Sequence, residues 1–324
     1  MRVLVLGGTG FAGRAVAEEA ARRGDEVTLF NRGRRGGASL VGASLVGDRL
    51  APGGLSALET GEWDAVVDTW SAEGEAVRRT AELLRGRAGH YTYVSSRSVY
   101  RWLAPAPLSE AAPLVEETEQ GYAGDKLRGE KGAAAFGGPV LLARAGLILG
   151  PYEDVGRLPW WLNRVARGGP VLAPGPRELP LQLIDVRDLA VFVLDAAARG
   201  LDGPFNVVSA PGHTSMGELL DTAVEATGGR AGLRWTDPEV IVKRGVQPWT
   251  QLPIWFPPGA EHEFMNSADV TKALNAGLRC RPVRETVFDT WSWLRTLGRQ
   301  APQRDDRPRV GLDPDVEREL LGEQ

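Results

Sequence analysis

The first two-thirds of the chain alternates short apolar runs with segments of helical spacing. Residues 2–6 (RVLVL) are an apolar run that leads into glycine, as a strand buried on both faces would be. Over 11–23, Phe11, Val16 and Ala20 recur at helical spacing, and Gly24 offers a stop. Residues 26–30 (EVTLF) read as a second strand, followed by a Gly/Arg-rich loop at 32–37. Further strands are predicted over 64–69 (DAVVDT), over 91–95 (YTYVS) and within 139–149 (PVLLARAGLIL), with helices near 73–87 and 122–135. This rhythm predicts an α/β fold, a doubly wound parallel sheet with helices on both faces.

The last third changes texture. Residues 151–180 and 235–260 are rich in Pro and Trp and lack a clear period. Between and beyond them, 181–199 reads as a strand then a helix, 205–208 as a strand, and 285–297 as an amphipathic helix. Residues 214–228 read as a helix, with Ser215 and Glu218 spaced for a capping box.

Composition adds mainly exclusions. Hydrophobic residues make up 43% and charged residues 25% of 324, the balance of a folded globular chain. The apolar run 140–149 contains an arginine and is too short to span a bilayer. Cys280 is the single cysteine, which excludes an intrachain disulfide and a cysteine zinc cluster. His90, His213 and His262 lie far apart, without metal-ligand spacing. A net charge of −4 gives no reason to expect nucleic acid or an acidic membrane as partner. No secretory signal is read at the start, so a cytoplasmic location is expected. Only four of the 38 basic residues are lysine, which makes each lysine conspicuous.

The chemistry begins where strand 2–6 runs into Gly7-Gly8-Thr9-Gly10-Phe11-Ala12-Gly13 and then a helix. Glycines at 7, 10 and 13 permit a tight left-handed turn, close approach of backbone to a pyrophosphate, and close packing of helix on sheet. The free amides and the positive helix end, with Phe11 as its first residue, would hold phosphates. At the end of the second strand, a unit that binds NAD usually carries an acid for the ribose hydroxyls. Asn31-Arg32-Gly33-Arg34-Arg35 has none and offers three guanidiniums, which suit a 2′-phosphate. NADP is therefore expected over NAD, with Arg32 as its first contact and Asn31 beside it. Asp48, after a short strand, is a candidate for the adenine amine, and Thr69, where strand 64–69 ends, completes the cofactor set.

Tyr122 and Lys126 stand four residues apart on a predicted helix and so share a face. An ammonium near a phenol favours the phenolate, and the lysine can also reach a ribose. Ser96 ends a strand in YVSSRSVY (93–100), where its hydroxyl can hold a carbonyl oxygen beside the phenol.

With these pieces the chain resembles the extended short-chain dehydrogenase/reductase family, also called the NAD-dependent epimerase/dehydratase family. The matching segments are GGTGFAG (7–13), GDR (47–49), YVSSRSVY (93–100), YAGDKLRGE (122–130), RAGLILGP (144–151), LQLIDVRDLA (181–190) and PFNVVS (204–209). The resemblance covers about residues 2–298 and implies Ser96, Tyr122 and Lys126 as a catalytic triad. Tyr122 would exchange the proton, Lys126 would tune it and hold the nicotinamide ribose, and Ser96 would position the oxygen. The expected organisation is a dinucleotide-binding domain over 1–150, with returning segments near 181–212, and a smaller substrate-binding subdomain from 151–180 and 213–298. A loosely attached tail is expected over 299–324.

Three departures from the family pattern bear on the reaction. Arg97-Ser98 stand where family dehydratases carry an Asp-Glu pair, Leu147 where many nucleotide-sugar epimerases carry an Asn, and the arginine loop suits an exchangeable NADPH. They point to an NADPH-dependent reductase of a small or medium organic ketone, plausibly in secondary metabolism. The alternatives are a nucleotide-sugar epimerase and a non-catalytic, cofactor-binding regulatory or RNA-associated protein. The expected partner is a small-molecule substrate, with a homodimer as the candidate assembly. An aromatic, largely apolar pocket beside Tyr122 is expected from Trp160, Trp161, Trp249, Trp255, Phe256 and Phe264. His262 is a lesser candidate for that pocket, His213 reads as a helix-entry residue, and no motif calls on the Cys280 thiol.

Overall fold

The computed structural model describes residues 1–33 and 41–322. Its first half runs β1 (Arg2–Leu6), α1 (Phe11–Arg22), β2 (Glu26–Asn31), β3 (Ala43–Val46), β4 (Trp63–Asp68), α2 (Gly74–Leu84), β5 (Ala88–Ser96), α3 (Gly121–Ala133) and β6 (Val140–Ala145). It continues with β7 (Leu147–Leu149), α4 (Arg157–Ala166), β8 (Gly169–Pro174), β9 (Pro180–Leu181), β10 (Leu183–Asp185), α5 (Val186–Ala198), β11 (Gly203–Val207), β12 (Thr214–Ser215) and α6 (Met216–Ala226). Last come β13 (Ala231–Thr236), α7 (Pro238–Lys243), α8 (Ala260–Asn266), α9 (Thr271–Asn275), α10 (Val283–Thr296) and α11 (Pro314–Leu320). No helix among the described residues is long and apolar enough to cross a membrane.

Two compact units divide the chain. The first comprises residues 1–146, 186–208 and 269–279. Its seven strands form one sheet in the order β11-β6-β5-β4-β1-β2-β3, each neighbour parallel to the next. Parallel strands buried on both faces need apolar side chains at successive positions, and Val3, Leu4, Val5 and Leu6 are each at most 1% exposed. Alternation sends Leu4 and Leu6 into a core shared with Val77, Ala81 and Leu84 of α2 and Ala133 of α3. Helices α1 and α5 pack together, as do α2 and α3. The strand order reverses at β1, which pairs β2 on one side and β4 on the other. This is the doubly wound Rossmann arrangement, whose ligand crevice lies outside the carboxyl ends of the strands at that switch.

The second unit comprises residues 147–185, 209–268 and 280–322 of the described chain. Helices α4, α6 and α10 pack around a core that includes Trp161, Trp255, Leu219 and Val287. Alongside them runs the parallel pair β8–β13. Helix α4 and β8 fall in the Pro/Trp-rich stretch 151–180, where the sequence shows no clear period.

The unit boundaries differ from the expected ones: residues 147–150, 181–185 and 209–212, expected in the dinucleotide-binding domain, group with the second unit. Segment 269–279 groups with the first unit, where α9 packs on β11. The tail is not loosely attached: Arg164 of α4 and Glu317 of α11 form a buried ion pair at 2.6 Å, and the second Glu317 oxygen accepts the Leu172 amide at 3.1 Å.

Candidate active site

The turn after β1 behaves as its glycines require. Gly7 takes φ +95°, and its amide donates to the Phe30 carbonyl at 3.0 Å. A Cβ at Gly13 would stand 2.4 Å from the Gly7 carbonyl oxygen, so helix and turn approach as closely as backbone allows. Gly10 caps α1 without a side-chain hydrogen bond, and no acidic residue lies in the first turn. Phe11, half-buried, opens the helix. A cradle that a Cβ would fill, at a helix start left without an acid, fits a dinucleotide pyrophosphate.

Thr69 sits across the switch point from that turn. Its amide and its hydroxyl both donate to the Leu6 carbonyl, at 3.2 and 2.9 Å. Its Oγ1 lies 2.5 Å from where a Gly7 side chain would begin, so it closes the turn from the β4 side.

At the end of β2, where the adenosine is expected, Arg32 is exposed. Asn31 is turned to its own loop, with Oδ1 accepting the Gly33 amide at 2.8 Å and Nδ2 donating to Ser44 at 3.3 Å. The same residue types that suit a ribose also cap turns, and here the turn takes the carboxamide. Asp48 follows β3, and its Oδ1 accepts the Leu50 amide at 3.1 Å. Arg34 and Arg35 lie outside the described residues.

Tyr122 and Lys126 fall in α3, one turn apart, as their spacing predicts. Lys126 is buried, and its Nζ donates to the Trp70 carbonyl at 2.6 Å and the Val94 carbonyl at 2.7 Å, 4.7 Å from the centre of the Tyr93 ring. Tyr122 is half-buried and acts electrostatically on the Tyr93 phenol, whose pKa burial already pushes well above the ordinary value. Ser96 ends β5, two residues beyond Val94, and caps the short turn that follows. Its Oγ accepts the Ser98 amide and donates to the Ser98 hydroxyl, both at 3.1 Å. All three residues therefore belong to the first unit, at the carboxyl end of β5 and the start of α3. Arg97, at the family's acidic position, is buried, and burial lowers its guanidinium to about 10.

One turn beyond Lys126, Glu130 anchors the same helix face. It pairs with Arg144 of β6 at 2.8 Å and accepts the Ser95 hydroxyl at 2.6 Å. Residue type alone did not mark Glu130, Arg144, Asp68 or Arg49. For Asp68 and Arg144 the signal is a charge inside an otherwise apolar strand run, DAVVDT and LLARA, which a buried parallel strand tolerates only when paired; Glu130 in α3 and Arg49 after β3 carry no such mark.

The aromatic expectation needs correction. Trp161 and Trp255 are fully buried in the core of the second unit, their indoles donating to Pro253 and Gly175 carbonyls at 2.8 and 3.2 Å. Phe264 is buried as well. Trp249 stacks on Phe256 at 5.4 Å, under the Arg157 guanidinium at 4.7 Å, and Trp160 packs edge-on against Trp161. Large rings in a small core fill volume first. His262 is buried against the Pro180 carbonyl at 2.8 Å, and His213 meets the Arg281 carbonyl at 3.0 Å.

The chloroplast stem-loop binding protein of 41 kDa b from Arabidopsis thaliana is 29% identical over 213 residues, 60% of this chain and 54% of that protein. The chain thus spans about half the length of that relative. Among solved structures, the Bordetella bronchiseptica enzyme WbmG in complex with NAD and UDP is similar with a TM-score of 0.68 and 17% identity, over 92% of this chain and 94% of that one. The Thermus thermophilus UDP-glucose 4-epimerase, in complex with NAD, gives 0.67 and 20%, over 91% and 99%. At such identities the likeness is one of fold. The model of the NAD dependent epimerase/dehydratase family matches residues 53–208, a stretch that holds Thr69, Ser96, Tyr122 and Lys126. Over that stretch the chain is similar to the NAD dependent epimerase/dehydratase family, and its fold is the one these solved structures share.

Proposed function

We propose that the chain is a nicotinamide-dependent epimerase that acts on a secondary alcohol of a nucleotide sugar. The observation that carries the site is the Lys126 ammonium, held by the Trp70 and Val94 carbonyls one turn from Tyr122. The glycine turn, with Gly7, Gly10, Phe11 and Gly13, would hold the pyrophosphate, and Thr69 would border it. Lys126 would hold the nicotinamide ribose. The bound cofactor would supply a hydride acceptor that returns what it takes. Tyr122 takes the hydroxyl proton as the carbon is oxidised and gives one back as it is reduced. Ser96 steadies the oxygen between those events, after releasing its bond to Ser98. Epimerase chemistry is favoured over net reduction by the family and by the NAD-containing epimerase of the same fold.

A ketone reductase using NADPH is the second reading. Arg32 and the lack of a carboxylate among the described residues at the end of β2 favour it, as does the apolar Leu147 in β7. The stem-loop-binding name of the plant relative has less behind it here, since the net charge is −4.

The test is cofactor stoichiometry. The purified chain is incubated with UDP-hexoses, and separately with ketones, at catalytic and at stoichiometric NADP(H) and NAD(H). Interconversion of sugar epimers without net change in reduced cofactor supports the epimerase. One reduced cofactor consumed per product, with ketones alone as substrates, replaces it with the reductase.

A further inference from the structure

Asp68 closes β4 and is wholly buried. Its carboxylate takes four donors: Arg49 Nη1 at 2.7 Å, Arg49 Nη2 at 2.8 Å, the Tyr91 hydroxyl at 2.6 Å and the Trp70 amide at 2.9 Å. Burial pushes this carboxyl up, but the Arg49 charge and these bonds outweigh it and hold it below the usual carboxylate range. With four donors the two oxygens have no lone pair left to turn towards another partner. Arg49 is fixed in its turn by the Thr80 hydroxyl and the Ala76 carbonyl, both at 3.0 Å.

Trp70 is gripped from both ends of this pair. Asp68 holds its amide, and the Arg49 guanidinium lies 5.0 Å from the centre of its ring. Its indole N–H donates to the Glu73 carbonyl at 3.1 Å. What remains is the Trp70 carbonyl, which accepts Lys126 Nζ at 2.6 Å and the Tyr93 hydroxyl at 3.0 Å. A bidentate guanidinium–carboxylate pair is directional as well as strong. Buried, it is costly to assemble, so its usefulness lies in what it fixes.

We propose that the Arg49–Asp68 pair positions Lys126. It sets the peptide of Trp70, whose carbonyl, with that of Val94, holds the ammonium where it serves Tyr122 and the nicotinamide ribose. This rests on the assignment of Lys126 to the cofactor. Arg49, Asp68 and Trp70 are positioning residues and touch no reacting atom. Their influence on the cofactor passes through Lys126, whereas a purely structural role would act on the protein whatever residue stands at 126.

A double-mutant cycle on the full chain reads this directly. The probes are NADP+ and NAD+, titrated into wild type, Asp68→Asn, Lys126→Ala and the double variant, with melting temperatures measured in parallel. Lys126→Ala is expected to weaken binding tenfold or more. Asp68→Asn is expected to weaken it threefold to tenfold alone, and less than twofold in the Lys126→Ala background. Tyr91→Phe removes one donor, keeps both charges, and carries the same cycle if Asp68→Asn does not fold. Equal losses in both backgrounds, or no loss in either, overturn the positioning role while leaving Lys126 as a cofactor contact. An unchanged affinity in Lys126→Ala overturns the assignment of Lys126 itself, and the positioning role with it.

Discussion

A side chain at Gly13 would begin 2.4 Å from the carbonyl oxygen of Gly7, and the obstacle is backbone that cannot swing aside. Gly13→Ala must therefore push α1 away from the turn. The expected cost is about 1–3 kcal/mol of stability, the range for overpacking a tight site. Binding of NADP+ and NAD+ should fall by more than tenfold. Calorimetric titration beside a thermal melt checks both, and an unaltered affinity would mean that the turn does not carry the pyrophosphate.

Arg32 directly follows β2, and the sequence over 31–35 holds no acidic residue. NADP(H) is expected to bind roughly ten-fold or more tightly than NAD(H), the size of one charge-assisted contact. Arg32→Ala should erase most of that preference and leave NAD(H) unchanged. Parallel titrations decide it, and equal affinities in the wild type would contradict it.

Much of this architecture is legible in the chain itself. The strand–glycine–helix opening, the Tyr122–Lys126 spacing and Ser96 at a strand end all lie where local periodicity places them, because each depends on a few neighbouring residues. Legibility fails where distant partners decide. Asp68 needs Arg49 and Tyr91, from segments that only the fold brings beside it, as well as the neighbouring Trp70 amide. Asn31 is a cofactor candidate by position and a turn cap by geometry. Trp161 and Trp255 carry the same aromatic signal as pocket residues, and only packing shows that they fill a core.

The tail is held by the Arg164–Glu317 pair, both partners buried. Glu317→Ala leaves the guanidinium buried without its carboxylate and the Leu172 amide without its acceptor. A loss of about 3–5 kcal/mol is expected, the usual cost of removing one partner from a buried pair. Denaturant unfolding measures it. A change below about 0.5 kcal/mol would show that α11 adds little to the second unit.

Glu153 is buried in the turn before α4, where it accepts the Arg157 and Leu158 amides at 2.6 and 3.2 Å. Burial outweighs those amides and raises its pKa from 4.5 to about 7. A carboxyl raised on folding stabilises the folded state when protonated, so its contribution is complete below about 4.5 and fades as pH climbs through about 7. Glu153→Gln, which stays neutral, should flatten the stability profile between those limits. Chemical denaturation across that window tests it, and an equally sloped profile in the variant would assign the slope elsewhere.

Tyr122, one turn from the held ammonium of Lys126, is the residue proposed to move the proton. The most direct measurement compares wild type with Tyr122→Phe on the substrate found by the stoichiometry screen, alongside cofactor titration. The phenyl ring keeps the packing and removes only the hydroxyl. Turnover should fall by at least about 100-fold, the lower end for loss of a general acid–base group, with cofactor affinity within twofold of wild type. A Tyr122→Phe variant that turns over at the wild-type rate would mean that Tyr122 does not move the proton.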